Sequence, residues 1–398
     1  MVTRQLLFAI TCVVLFTSVS FAEKTPDYYK PYAPISLDKS VYTWTDKIHI
    51  TIVSPSWNEN KNGIDSIGDD QDHQVKISTA SHSLGPYRLT ETSPNSGIFT
   101  GEVILTGFLH DVDDDGNSDT TPRTSGNGPT NGLLEVKRDD GITISFEFAD
   151  GVVLTTSAKI SWNLGEIAFS NPNYSTDEPI IIRVNDPDMN LNPESLDQIT
   201  IEASTDSDSA GISVVAVETQ DDSGIFESTI SLTQTSESSG NRIRAFPGDT
   251  VTAKYEDRTL PSPYGVSDDL DMTAKASIES NIPGIQRVSI EDLYIADSSG
   301  KQINELIKDK QIQITSHIRN NQDYPQPFTS IIQITDEQNK IVLLSWLTGK
   351  LSDLQSFELS QSWTPINRGN YQIETFVWKS LDDPSPLVPS YAKSFFVK

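Results

Sequence analysis

The chain has 398 residues and one cysteine, Cys12, which lies inside an N-terminal apolar run. Beyond that run there is no thiol, which excludes cysteine nucleophiles, thiolate zinc sites and disulfide stapling. The five histidines, His49, His73, His82, His110 and His317, are scattered, with no two at metal-ligand spacing. No nucleophile elbow, phosphate-cradling glycine loop or zinc-protease motif occurs. Acid pairs abound, but in loops such pairs are cation ligands or solvated turns more often than glycosidase pairs. The chain therefore reads as a non-enzyme. Helical periodicity is missing over any useful length. Past residue 22, no apolar stretch approaches the roughly 20 residues a membrane span needs. Bases are scarce: 29 Lys and Arg stand against 56 Asp and Glu, a net charge of −27.

That charge is uneven. Glu23 to Asn281 holds 43 acids and 17 bases, whereas Ile282 to the end holds 13 acids and 11 bases. The acidic part repels nucleic acid and anionic lipid and attracts cations. It equally suits a solubility surface in a salty medium, where dense charge is screened. Met1-Val2-Thr3-Arg4, the apolar run Leu6 to Phe21, and Ser20-Phe21-Ala22 together give a signal-peptide pattern over residues 1–22, cleaved after Ala22. An uncleaved anchor is the alternative. The expected location is extracellular, at the cell surface. An exported protein without disulfides needs another way to hold its loops, and bound cations are one.

One block occurs twice. Glu91-Thr92-Ser93-Pro94-Asn95-Ser96-Gly97-Ile98-Phe99 returns as Glu218-Thr219-Gln220-Asp221-Asp222-Ser223-Gly224-Ile225-Phe226. Gly141 and Asp150 flank an alternating run, as do Gly248 and Asp257. A duplicated unit of sandwich size follows, over residues 35–162 and 163–280. The first copy carries about twenty extra residues between Leu105 and Gly141. Asn281-Ile282-Pro283-Gly284 reads as a linker, and a third unit spans 285–398. Short alternating runs rich in β-branched and aromatic residues indicate half-buried antiparallel strands. The expected fold is all-β: three tandem immunoglobulin-like antiparallel β-sandwiches. In the third, Trp346, Trp363 and Trp378 suit core packing, or alternatively a sugar-binding platform.

The insertion holds the clearest local motif, Asp111-Val112-Asp113-Asp114-Asp115-Gly116-Asn117-Ser118-Asp119. Asp111, Asp113, Asp115 and Asp119 fall at positions one, three, five and nine, glycine at six, and Asn117 offers its carbonyl. Ca²⁺ takes six to eight oxygens in flexible geometry, so alternate residues of a tight loop can converge on it. Position twelve is Pro122 and no helices flank the loop, so it is no EF-hand. A merely solvated acidic loop is the other reading. Asp186, Asp188 and Asn190 alternate likewise after a strand, and Asp221 and Asp222 are placed to complete a second, weaker site. Asx-rich turns also arise for conformational reasons alone. Asn173-Tyr174-Ser175 is a glycosylation sequon at Asn173.

The twin Glu-Thr-x-x-x-Ser-Gly-Ile-Phe blocks, Asp186-Pro187-Asp188-Met189-Asn190, Arg138-Asp139-Asp140-Gly141-Ile142-Thr143, and Pro247-Gly248-Asp249-Thr250 with Leu260-Pro261-Ser262-Pro263-Tyr264 together resemble surface-layer and related cell-surface proteins of ammonia-oxidising archaea. The resemblance covers about Ile35 to Ser280. It implies tandem sandwiches, divalent-cation binding and a place in or under an acidic protein lattice. This chain departs in being short for a lattice subunit, with two repeats and no visible C-terminal anchor. The expected function is a calcium-binding structural or interaction protein of the cell surface. Its partners would be itself or other surface-layer proteins, divalent cations and glycans. The alternative is a secreted glycan- or protein-binding adhesion module with the third unit as its binding part.

Overall fold

The alternating runs form strands whose burial alternates as the sequence does. In Gly141–Ala149, Ile142, Ile144, Phe146 and Phe148 face the core while Gly141 and Thr143 are exposed. Such a period of two places one face on a core and the other in water. The computed structural model describes residues 32–398, and the expected signal peptide lies outside them.

Two sheets form between residues 35 and 160. One runs, in order, Ile35–Leu37, Lys47–Val53, Ile98–Leu105, Leu89–Glu91, Ser66–Ile67, with Gly132–Leu134 parallel to Ile98–Leu105. The other runs Val41–Tyr42, Val152–Ile160, Gly141–Ala149, Val75–Ser78, Ser83–Leu84. Between 166 and 278 the arrangement departs from two separate layers. Ile212–Glu218 pairs with both Gln198–Thr205 and Ile225–Thr233, so nine strands are hydrogen-bonded into one folded sheet. The third block stacks a three-stranded sheet (Val288–Ala296, Ile312–Asn320, Ser356–Trp363) against a four-stranded one (Ile341–Leu351, Gln326–Asp336, Gly369–Trp378, Tyr391–Val397).

The first two blocks share one contiguous apolar core, which includes Trp44, Phe99, Trp162, Met189, Phe226 and Tyr255. The third has separate clusters of its own. Thr250–Asp257 crosses the second block from end to end. At one end Lys379 of the third block reaches Thr250 Oγ1 at 2.5 Å and the Asp206 carboxylate at 2.5 Å. Phe246 stacks on Tyr324 there, with centroids 5.8 Å apart. At the other end Asp257 lies beside the first block. The three blocks are thus joined in a line.

The repeated block is a buckle. Glu218 Oε1 accepts from Gly224 N at 2.7 Å and Ser223 N at 2.8 Å, while Oε2 accepts from Asp197 N at 3.2 Å. Glu91 does the same, taking Gly97 N at 2.7 Å and Asp65 N at 3.3 Å. One carboxylate so closes two turns and satisfies amides that burial has cut off from water. Gly97 and Gly224 have φ of +62° and +59°, and a Cβ there would sit 2.7 and 2.6 Å from the Cα of Pro55 and Pro187. Only glycine fits such a left-handed close approach. Phe99 and Phe226, at the end of each block, are fully buried.

Candidate cation site

The insertion is rooted by aromatic packing. Trp44 lies 5.3 Å from both Phe108 and Trp162, and His110 is 5.1 Å from Trp162. Thr120 Oγ1 donates to Phe108 O, and Asp119 N donates to His110 O at 3.0 Å, which closes the neck of the loop. Within the loop, carboxylates collect backbone amides. Asp111 accepts from Gly116 N at 2.8 Å and Asp115 N at 3.2 Å, Asp115 from Asn117 N at 2.7 Å, and Asp119 from Val112 N at 2.8 Å. These Asx-type turns wind the chain around a point.

Ligand oxygens of Asp111, Asp113 and Asp115 lie within 4.8 Å of one another, and this is the one such acidic group among the described residues. With Ca–O distances of about 2.3–2.6 Å, two ligands of one ion stand no more than about 5 Å apart, so the three fit a single Ca²⁺. Asn117 turns its side-chain amide to Asp115 Oδ2 at 3.1 Å, which leaves its carbonyl as the donor it can offer. Asp119 is not among the three, but its charge bears on Asp113. Desolvation, then the charges of Asp119, Asp115 and Asp111, push the Asp113 carboxyl up. Desolvation works the same way at Asp111, but the amides of Gly116, Asp114 and Asp115 outweigh it and hold that carboxyl below its usual range. A divalent ion relieves the repulsion that raises Asp113.

The loop also docks on the second block. Asp114 Oδ2 lies 3.4 Å from Arg258, which is paired to Glu256 at 2.5 Å. His110 Nε2 is 2.9 Å from Arg258 O, and Arg138 donates to Leu260 O at 3.0 Å. A cleft of about 310 Å³ opens between them, with Asp113 and Asp119 on one wall and Glu202, Lys254, Glu256 and Arg258 on the other.

The second predicted group is divided. Asp186, Asp188 and Asn190 are buried in the joint with the first block, whereas Asp221 and Asp222 are exposed. Asn190 Nδ2 links to Asp222 Oδ1 at 2.8 Å. Asp186 instead takes Tyr255 OH at 2.6 Å and Asp188 N at 3.0 Å. Asp188 binds Asn163 through its backbone and side-chain amides, and Trp44 Nε1 donates to Asp188 O at 2.8 Å. Thr45 Oγ1 donates to Asn190 O at 2.6 Å. Asp257, fully buried, accepts from Gly165 N at 2.7 Å and Thr259 N at 2.9 Å. Among the described residues, no basic side chain bonds to Asp186, Asp188 or Asp257. Burial first, and the charge of Asp257 second, push the Asp186 carboxyl up to about 7; burial and then Asp186 push Asp188 well above the usual range. In the first block the turn at the same place in the repeat reads Ser54-Pro55-Ser56 and carries no carboxylate.

Sequence reasoning missed Asp257, Tyr255, Arg258 and Trp44. Asp257 carried a signal, since it closes the same strand that Asp150 closes in the other repeat. Asn173 is exposed. Trp363 is buried and Trp378 half-buried, but Trp346 is 54 % exposed, against the core-packing expectation.

No helix among the described residues is long and apolar enough to cross a membrane. No family model and no curated protein matches the chain. Among solved structures it is similar to a tetra-tandem repeat from the extending region of a large adhesion protein, at 14 % identity, covering 92 % of this chain and 74 % of that one, TM-score 0.25. It is also similar to adhesin InvE of Yersinia pseudotuberculosis (13 %, 59 % and 58 %, TM-score 0.23) and to the Escherichia coli adhesin FdeC (10 %, 92 % and 96 %, TM-score 0.21). These likenesses are too distant to assign a role.

Proposed function

We propose that the chain is an exported, calcium-binding structural and interaction protein of the cell surface, surface-layer-like or surface-layer-associated. The observation that carries this is the Asp111–Asp113–Asp115 cluster, poised on a loop that is itself docked on the next block through Asp114 and Arg258. Ca²⁺ held there by these carboxylates and the Asn117 carbonyl would fix the loop, and with it the angle between the first two blocks. A protein that transmits or shares load outside the cell needs such fixed joints. Bound divalent ions also neutralise the acidic blocks and let neighbouring chains approach; monovalent salt screens without bridging. Sedimentation of the chain from Glu23 in EDTA, NaCl and CaCl₂ tests this. Assemblies larger than a dimer that form only with CaCl₂ support it, and the same distribution in all three refutes it. The exposed Trp346 favours a second reading, an adhesion module that binds a glycan or protein through the third block.

A further inference from the structure

The outermost strands of the first two blocks are blunt. Ile35–Leu37, Val41–Tyr42, Ser66–Ile67, Ser83–Leu84, Glu166–Phe169 and Asn173–Tyr174 are two to four residues long. Short edges deny a template to other chains. The third block breaks this rule at Ile341–Leu351, eleven residues that among the described residues pair only with Gln326–Asp336. Its other edges carry protection: Glu291 and Asp292 with a register shift in Val288–Ala296, Glu358 in Ser356–Trp363, and Lys393 tied to Leu293 O in Tyr391–Val397. Ile341–Leu351 contains no acid, and its single charge, Lys350, stands next to the end. Ile341, Leu344 and Trp346 are each at least half exposed. Trp346, Ile331 and Phe376 stand side by side across three strands, with Trp346 exposed, Phe376 half-buried and Ile331 buried between them.

We propose that this edge and face are where a second copy of the chain binds, by antiparallel pairing of the two Ile341–Leu351 strands about a twofold axis. The occupant follows from charge. The first two blocks, with 43 acids to 17 bases counted from Glu23, repel their like, whereas the third, with 13 to 11, does not. Contact through the third block leaves the acidic blocks of both copies free to point away from each other. An acid-free strand is also self-complementary under a twofold axis, which brings residue i of one copy opposite residue j of the other and j opposite i. At about 3.4 Å per residue it offers about 37 Å of unpaired backbone. This contact needs no cation, so it stands apart from the calcium reading and fails independently of it.

The test is sedimentation of the chain from Glu23 in EDTA with NaCl at rising concentration. A monomer–dimer equilibrium is expected, with a dissociation constant on the order of 10 µM, as suits an interface below about 1,200 Å². Leu344→Lys with Trp346→Lys should weaken it about 30-fold or more without lowering the melting temperature, because both side chains are exposed. Chains from Glu23 have no cysteine, so Leu344→Cys, Trp346→Cys and Thr348→Cys can be oxidised one at a time. Symmetric pairing gives one position that cross-links far faster than its neighbours. A wild-type chain that stays monomeric, a double variant that dimerises like wild type, or equal cross-linking at all three positions overturns the proposal. So does a monomer that instead binds polysaccharide through Trp346. The Asp113→Ala, Asp115→Ala chain should still dimerise in EDTA.

Discussion

Replacing Glu218 with alanine measures what the repeated block does. The Glu218 side chain is 3 % exposed and holds Gly224 N, Ser223 N and Asp197 N at 2.7, 2.8 and 3.2 Å. Truncation leaves the buried Gly224 amide and the half-buried Ser223 and Asp197 amides without their acceptor. At about 1–2 kcal/mol for each such amide, the loss is about 3–6 kcal/mol. Glu218→Gln keeps one oxygen for Gly224 and Ser223 but turns an NH₂ toward the Asp197 amide, so its loss should be about 1–3 kcal/mol. Urea unfolding of the chain from Glu23, analysed by linear extrapolation, reads both. Glu91→Ala should behave alike, since Glu91 holds Gly97 N and Asp65 N in the same way. A loss below about 1 kcal/mol for Glu218→Ala would show that the bonds do not carry the turn, and the repeat would need a functional explanation instead.

Phe226→Ala empties a fully buried ring position and should cost about 3–5 kcal/mol, read by thermal melting; an unchanged melt would place the ring outside the core. The joint should loosen as pH rises. Burial, then the charge of Asp257, push the Asp186 carboxyl up to about 7 from its ordinary 3.8, and Asp188 beside it is pushed up too, so the folded state holds more protons than the unfolded chain and stability falls as pH rises from about 4 toward 7. Asp186→Asn should flatten that slope in pH-dependent melts, and an identical slope would refute the assignment. Glu91 has the opposite sign: the amides of Gly97 and Asp65 outweigh desolvation and lower its carboxyl, so its contribution is present above the ordinary value near 4.5 and is lost as pH falls below it. Calcium at about 10 mM, against a dissociation constant of about 0.1–1 mM, should stabilise the folded loop by about 1–3 kcal/mol, and Asp113→Ala with Asp115→Ala should abolish the rise in melting temperature.

Strands with clean alternation are legible in the sequence: the run between Gly141 and Asp150 is the strand Gly141–Ala149, with its apolar residues buried at alternate positions. Val288–Ala296 was not legible, because a bulge between Ile290 and Asp292 interrupts its period and puts Glu291 and Asp292 in mid-strand. Val41–Tyr42 is too short to show a period and exists through its parallel pairing with Lys159 and Ile160. At the site, the Asp111 loop could be read from spacing because its carboxylates converge through local turns. The Asp186 group could not, since its environment is made by Trp44, Asn163 and Asp257, which are distant in sequence. Trp346 and Trp363 look alike in their strands; which of them faces the core depends on which sheet each strand joins, and that is a tertiary outcome.

In the proposed function, Ca²⁺ at the Asp111 loop clamps the joint beside it. Amide hydrogen exchange of the chain from Glu23, with EDTA and with CaCl₂, reads site and clamp together. Calcium should slow exchange in residues 108–120 and, through Asp114, His110 and Arg258, in residues 256–260 as well. The Asp113→Ala, Asp115→Ala chain should show neither change. Exchange that is the same with and without calcium in wild type, or slowing that survives in the double variant, would contradict the account.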